Sequence, residues 1–305
     1  MNTQTATTKP LTLEAAVEGF LNSLRANNRA ELTLTTYQTD LSQFITWLKE
    51  HVFTASSIET VSKADITAYL AFLRSQRISG VTRAKKLASI RGLFRYLVEG
   101  EGLLEKSPAQ GLETPKQERR SRDYFLPDEY RAMLSLAGAS PRDYAILQVF
   151  LQTGIRVGEL CELMLEDVDL EQRLLRVRNG KGMVAREVPF ETKAAKALAN
   201  WLKARKEVLS ELGKDSDQLF LNQYGAPIGC RGVKKLVTKY RQAAGVTKKL
   251  GCHGFRHSFG TLKNEMGVSP FVIRELMGHA RYETTQQYVH PSRQNIKKVT
   301  EATSL

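Results

Sequence analysis

The sequence has few cysteines and no long apolar segment. Its three cysteines, Cys161, Cys230 and Cys252, are odd in number and lie far apart along the chain, which fits neither a disulfide framework nor a CxxC metal-binding pair. No apolar run approaches the ~18 residues that a membrane-spanning helix requires. The first ten residues lack the charged start and apolar centre of a secretory signal. We therefore expect a soluble, cytoplasmic protein with reduced thiols.

Acidic residues are absent from one long stretch of the first hundred residues. Between Ile66 and Val98 the chain contains no aspartate or glutamate. It does contain several basic residues, namely Arg74, Arg77, Arg83, Lys85, Lys86, Arg91 and Arg95. The whole chain of 305 residues carries 45 basic and 32 acidic side chains, a formal charge of +13. Such concentrated charge favours a phosphate-rich partner such as nucleic acid, although a merely solvated basic surface is the alternative.

Four helical patterns precede residue 100. In TLTTYQTDLSQFITWLKEH the apolar residues recur at the spacing of one helical face, as Tyr37, Leu41, Phe44, Ile45 and Leu48. A serine at 62 followed by an aspartate at 65 predicts the N-cap of a third helix. The fourth pattern buries apolar residues on one face and leaves basic residues on the other. We expect four of these to contact DNA: Arg83, Lys85, Lys86 and Arg91.

A change in composition marks a boundary after the fourth helix. The segment SPAQGLETPKQERRSRD contains two prolines and a glycine and has no apolar periodicity, which is typical of a linker. The sequence then predicts helices at about 127–137 and 142–152. A β-hairpin follows, with Leu175 and Val177 on one strand, Val184 and Val188 on the other, and Lys181 in the turn. We expect domains at 11–106 and 125–292, a linker at 107–124 and a tail at 293–305.

Polar residues recur in four short motifs of the second domain. TGIRVGEL places Arg156 at a helix start, and NGKG contains Lys181. CHGFRHSFGTL puts His253 and Arg256 on one helical face. LMGHARYETTQQYVH has a predicted helix C-cap at Gly278, then His279 and Tyr288. Each residue alone has an ordinary structural interpretation, such as a turn arginine, a polar hairpin tip or a core tyrosine.

The order of these residues, arginine, lysine, His-x-x-Arg, histidine and tyrosine, resembles the tyrosine recombinase family, which includes the lambda integrase-like and Xer-like enzymes. The resemblance covers nearly the whole chain and is highly specific as a set. The residues that it identifies as catalytic are Arg156, Lys181, His253, Arg256, His279 and Tyr288. Three departures are small. Gly254 stands where a longer polar residue is common, and Phe255 and Met277 stand where leucine is common.

The residue types suit transesterification of a DNA phosphodiester. Arg156 and Arg256 could hold the charge of a five-coordinate phosphorane, since guanidinium groups bind phosphate bidentately and stay protonated. Tyr288 could keep the bond as a phosphotyrosine. By the resemblance, His253 accepts the phenol proton, and Lys181 could protonate the departing 5′ oxygen. No metal or other cofactor is required, in line with the absence of GxxxxGK[ST] and CxxC motifs.

The resemblance implies a mostly α, two-domain protein. Its first domain would be a four-helix, SAM-like core-binding clamp, and its second an α+β catalytic domain of the DNA breaking-rejoining type with a small β-sheet. It would act on double-stranded DNA as a site-specific recombinase, forming a tetramer with itself or with a related recombinase, its C-terminal tail docking in trans. The alternatives are a type IB topoisomerase-like relaxing enzyme and a catalytically silent DNA-binding regulator.

Overall fold

A computed structural model describes residues 11–52, 57–116, 123–178 and 185–278. The chain divides into an N-terminal unit, Met1–Arg120, and a C-terminal unit, Ser121–Leu305. The division falls inside the segment whose composition is that of a linker. None of the helices in the described part of the chain combines the length and apolar character that a bilayer crossing needs.

The N-terminal unit is built from the four predicted helices. They are α1 (Leu13–Ala26), α2 (Glu31–His51), α3 (Lys63–Ser75) and α4 (Gly80–Arg95), and a single π-helical turn, Tyr96–Gly100, extends α4. The predicted cap of α3 is confirmed: the Ser62 hydroxyl accepts from the Asp65 amide while the Asp65 carboxylate accepts from the Ser62 amide at 2.8 Å. This reciprocal pair satisfies two amides that have no partner within the helix.

The apolar faces of these helices meet in one core. Leu41, Phe44 and Leu48 of α2 are fully buried, as the helical spacing predicts. The ring of Tyr69 on α3 lies 5.1 Å from that of Phe44, centroid to centroid. Aromatic pairs at this distance add to the stabilisation from burial alone. Leu87 of α4 is fully buried in the same core, which fixes the face that α4 turns to solvent.

The prediction that Lys86 lies on this outer face is wrong. Only 8% of its side chain is exposed, and its Nζ donates to Asp40 Oδ1 at 3.1 Å and to the Gln43 side chain. Asp40 is equally buried and also accepts from the Ser89 hydroxyl at 3.0 Å. A charge in an apolar core needs a partner of opposite sign. Lys86 therefore serves the packing of α2 against α4.

The C-terminal unit combines helices with a small sheet, as predicted. The helices within its described residues are α5 (Pro127–Ala137), α6 (Pro141–Thr153), α7 (Val157–Glu162), α8 (Thr192–Leu212), α9 (Cys230–Ala243), α10 (Cys252–Glu265) and α11 (Pro270–Met277). Its strands are β1 (Val168–Asp169), β2 (Leu174–Val177) and β3 (Arg186–Pro189). All neighbours are antiparallel, in the order β1-β2-β3.

The predicted hairpin is confirmed as the pair β2 and β3. Leu175 lies opposite Val188, and both are fully buried. Because side chains alternate across a strand, Arg176 points the other way and is exposed. The hairpin turn, with Lys181 and Val184, lies outside the described residues. β1 is too short for a periodicity, and the sequence did not predict it.

Candidate active site

Arg156 is placed by a tight turn between two helices. α6 ends at Gly154, which has φ +60° and ψ +19°, and Arg156 is the N-cap of α7. A left-handed conformation of this kind favours glycine. A β-carbon at 154 would also lie 2.6 Å from Cδ1 of Phe259. The glycine predicted to allow a tight turn is thus required twice, by its backbone angles and by the ring beside it.

Glu159, one turn into α7, holds Arg156 at two points. Its Oε1 accepts from Arg156 Nη1 at 2.8 Å, and its Oε2 accepts from the Arg156 amide at 2.8 Å. The Glu159 side chain is only 5% exposed, whereas that of Arg156 is 35% exposed. The buried carboxylate therefore orients the Arg156 guanidinium, while part of the Arg156 side chain stays exposed to solvent.

A third charged residue, Arg186 of β3, completes this network. Its Nη1 and Nη2 donate to the two oxygens of Glu159 at 3.2 Å and 3.0 Å. Burial alone would raise the pKa of Glu159, but the hydrogen bonds from Arg186, the charge of Arg186, and the hydrogen bonds from the Arg156 amide and side chain lower it to about 2. Glu159 is therefore ionised at neutral pH, as a carboxylate between two guanidinium groups.

Arg256 lies on α10 and is almost fully buried, with 1% of the residue exposed. Its Nη1 donates to the Gly154 carbonyl at 2.7 Å, and its Nη2 donates to the Met277 carbonyl. The same turn that places Arg156 thus also supplies an acceptor for Arg256. The two arginines predicted to be catalytic come from α7 and α10, yet the turn at residues 154–156 holds both of them.

Three arginines converge on the end of α11. Three successive carbonyls accept from them: Leu276 from Arg186 Nε at 2.9 Å, Met277 from Arg256, and Gly278 from Arg156 Nη2 at 3.0 Å. The C-terminus of a helix carries partial negative charge, which attracts cations. Gly278 caps α11 with φ +60°, which confirms the predicted C-cap. His279 follows it directly in the sequence.

His253 lies at the exposed end of α10, one turn before the buried Arg256. Its ring makes an edge contact with His257, with centroids 4.8 Å apart and planes at 84°. Residues three apart lie on neighbouring positions of a helix surface. α10 therefore places the exposed His253 and the buried Arg256 on the same side of the helix.

The glycine that departs from the family pattern is explained by packing. A β-carbon at Gly254 would lie 2.8 Å from Cε2 of Phe125. Phe125 in turn contacts Phe255, with ring centroids 4.6 Å apart, and both rings are fully buried. Phe255, the second departure, thus belongs to the same aromatic contact. A longer side chain at 254 would displace Phe125.

Three of the six predicted catalytic residues lie outside the described residues: Lys181, His279 and Tyr288. The structure brings together Arg156 and Arg256 and places His253 on the helix of Arg256. It adds Glu159 and Arg186, which sequence analysis did not single out. A glutamate three positions after an N-cap was a usable signal for Glu159, since this spacing forms a capping box. Within the described residues, no three His, Cys, Asp or Glu side chains are grouped as metal ligands.

The basic residues predicted on α4 differ in their surroundings. Lys85 is exposed, with its Nζ 3.9 Å from Asp40 Oδ2. Arg83 is half-buried. Arg91 is half-buried too, and it donates to the Leu112 carbonyl and to Thr114 Oγ1 at 3.0 Å. Lys85 is therefore the most exposed charge of the three, and Arg91 is partly engaged by hydrogen bonds to the segment that contains Leu112 and Thr114.

Comparison with known proteins identifies both units. A profile of the Phage integrase family matches residues 123–295, and one of the phage integrase N-terminal SAM-like domain matches residues 17–101. Tyrosine recombinase XerC of Listeria innocua is 32% identical over 290 residues, which are 93% of this chain and 95% of the relative.

Solved structures share the fold. The Tn1549 transposon integrase in complex with a circular intermediate DNA has a TM-score of 0.76 at 19% identity, covering 95% of this chain and 99% of that one. A lambda integrase dimer bound to a COC' core site has a TM-score of 0.73 at 19% identity, covering 92% and 77%. The three arginines that converge on the end of α11 lie within the matched residues 123–295. The chain belongs to the phage integrase family of tyrosine recombinases.

Proposed function

We propose that the protein is a site-specific DNA recombinase that cleaves and rejoins strands through a 3′-phosphotyrosyl bond to Tyr288. The observation that carries this proposal is the convergence of Arg156 and Arg256 on the backbone immediately before His279. Two guanidinium groups held by a rigid turn form a preorganised site for an anion. Such a site is suited to a transition state that gains negative charge.

In the proposed reaction, the Tyr288 phenol oxygen attacks the scissile phosphorus while the bond to the 5′ oxygen breaks. Arg156 and Arg256 donate to the non-bridging oxygens, and His279 adds a further donor. His253 accepts the phenol proton, which an unperturbed pKa of about 10 would otherwise retain. Lys181 gives a proton to the 5′ oxygen. Rejoining reverses these steps with a 5′ hydroxyl from another strand.

The proposed partner is double-stranded DNA carrying a specific site. Complete exchange between two duplexes breaks four strands, and each break needs one tyrosine. We therefore propose a tetramer, formed by four copies of this chain or together with a related recombinase, with the tail at 293–305 docking on a neighbour. The N-terminal unit would clamp the duplex through Lys85, Arg83 and Arg91. We place the enzyme in the cytoplasm, which holds the chromosome in bacteria such as the relative named above.

A two-site plasmid assay tests this function. A target would first be selected by this protein from a pool of randomised duplexes and placed twice, as direct repeats, in a supercoiled plasmid. A recombinase converts this plasmid into two circles and leaves a plasmid without sites unchanged. Relaxation of the plasmid without sites would instead indicate a topoisomerase. Binding without any strand breakage would indicate a silent regulator.

A sulfur substitution tests the proposed roles separately. In a substrate whose bridging 5′ oxygen is replaced by sulfur, the leaving group needs little protonation. Cleavage by Lys181→Ala should be largely restored on this substrate. Cleavage by Arg156→Ala should stay low, since the charge on the non-bridging oxygens is unchanged. Equal restoration in both variants would show that Lys181 is not the proton donor.

A further inference from the structure

Arg186 binds acceptors within the protein through all three nitrogens of its guanidinium group. Its Nε donates to the Leu276 carbonyl at 2.9 Å, and its two terminal nitrogens donate to the two oxygens of Glu159. Only 8% of the side chain is exposed. Because all three nitrogens donate to protein acceptors, Arg186 has no unengaged nitrogen to offer to DNA. Its effect on the reaction must pass through the groups it binds.

The carboxylate that Arg186 binds is the one that orients Arg156. Each Glu159 oxygen accepts one bond from Arg156, at 2.8 Å, and one from Arg186. Two positive charges and one negative charge therefore share this network, with a net charge of +1. Without Arg186, Glu159 and Arg156 would form a neutral pair. A neutral Arg156–Glu159 pair attracts a phosphate oxygen less strongly than the same pair does when Arg186 balances the charge of Glu159.

The second acceptor of Arg186 lies next to the acceptors of the catalytic arginines. Leu276 directly precedes Met277 and Gly278, whose carbonyls accept from Arg256 and Arg156. Arg186 thus ties β3 to both α7 and the end of α11. Loss of this tie would free the backbone that leads to His279.

We infer that Arg186 is a positioning residue, which compensates the charge of Glu159 and fixes the end of α11 so that Arg156 keeps its full charge for the scissile phosphate. The inference rests on the proposed function. A lysine could not reproduce it fully, since one ammonium group cannot match the three acceptors with the planar geometry of arginine. The depressed pKa of Glu159 agrees with a carboxylate compensated by two arginines.

The test measures the first-order rate of covalent DNA attachment at saturating DNA, on a nicked duplex carrying the target selected above. Arg186→Met should lower this rate roughly tenfold to a hundredfold, less than the loss of a direct phosphate donor, which costs about 10²–10³. The dissociation constant for intact DNA should change by less than about twofold, because all three Arg186 nitrogens donate to protein groups. Arg176→Met is the matched control, since Arg176 lies on the paired strand in an exposed ion pair with Glu187 at 3.5 Å.

A double substitution separates this role from simple support of the fold. In Arg186→Met the uncompensated carboxylate of Glu159 draws on Arg156, so adding Glu159→Gln should raise the rate several-fold above that of the single variant. A purely structural role predicts a double variant that is no faster than Arg186→Met, and this result would overturn the inference. Attachment by Arg186→Met at the wild-type rate would overturn it as well.

Arg186→Lys covers the case in which the methionine variant does not fold. It keeps one positive charge beside Glu159 and should attach at a rate between those of the wild type and Arg186→Met, with intact DNA binding. If only the lysine variant folds, a rate equal to that of the wild type overturns the inference. A wild-type protein that forms no adduct would instead refute the proposed function, so the two failures are distinguishable.

Discussion

Replacing Gly154 with alanine separates two costs that the structure assigns to this turn. The first is backbone strain, because φ is +60° and a left-handed conformation costs a residue with a side chain about 1–2 kcal/mol. The second is a steric cost, because the new β-carbon would lie 2.6 Å from Cδ1 and 2.8 Å from Cγ of Phe259. Overpacking of this kind costs about 1–3 kcal/mol. The expected loss is the sum, about 2–5 kcal/mol.

Gly213 provides the matched control. It caps α8 with the same φ of +60° and lies in the same unit, but a β-carbon there would meet no atom within 4 Å. Gly213→Ala should therefore lose only the strain, about 1–2 kcal/mol. The difference between the two variants isolates the contact with Phe259.

Urea unfolding followed by circular dichroism, in the transition of the C-terminal unit, measures both losses. In a Phe259→Ala background the two atoms nearest to the new β-carbon are gone and only the β-carbon of residue 259, at 3.2 Å, remains, so the cost of Gly154→Ala should fall towards that of Gly213→Ala. Equal losses at the two glycines in the wild-type background would refute the steric argument. DNA attachment should also fall in Gly154→Ala, because the Gly154 carbonyl accepts from Arg256.

Three further predictions concern other contacts. Gly254→Ala should destabilise the protein by about 1–3 kcal/mol through its contact with Phe125, and Phe125→Leu should reduce that cost in a double-mutant cycle; an additive cycle would contradict the contact. Lys86→Met should destabilise the protein by about 3–5 kcal/mol and leave the salt dependence of DNA binding unchanged. Lys85→Met should change stability by less than about 0.5 kcal/mol and lower that salt dependence. The reverse pattern would show that Lys86, and not Lys85, contacts DNA. The pKa of Glu159 lies at about 2, below its ordinary value of 4.5, so the ionised carboxylate stabilises the fold by about 3 kcal/mol above pH 4.5. This stabilisation is lost as the pH falls towards 2, and the stability difference between the wild type and Glu159→Gln should shrink over that range. A constant difference would contradict the prediction.

Local patterns predicted most of the elements, because they depend on neighbouring residues alone. The stripe through Leu41 and Phe44 follows the helical repeat, and the N-cap at Ser62 depends on a residue only three positions away. The same repeat failed for Lys86. Its partner Asp40 lies 46 positions earlier, and a helical pattern contains no information about a carboxylate on another helix. The buried ion pair became visible only once α2 and α4 were packed together.

The proposed catalytic residues were recognisable by type and order, whereas the residues that support them were not. Arg186 is an ordinary strand arginine in the sequence, and its partner Glu159 lies 27 positions away. The cysteines give a second example. Burial and a hydrogen bond with Cys230 raise the pKa of Cys161 to about 12, although 69 positions separate the two thiols. Contacts of this kind depend on the tertiary fold, and no spacing rule predicts them.

Mapping the covalent bond between protein and DNA tests the central claim most directly. The protein would be incubated with a nicked duplex carrying its selected target, digested with protease, and analysed by mass spectrometry. We predict one nucleotide-linked peptide with the modification on Tyr288, and no adduct in Tyr288→Phe, which should still bind DNA because its basic surface is unchanged. An adduct on another residue, or an adduct that persists in Tyr288→Phe, would contradict the account.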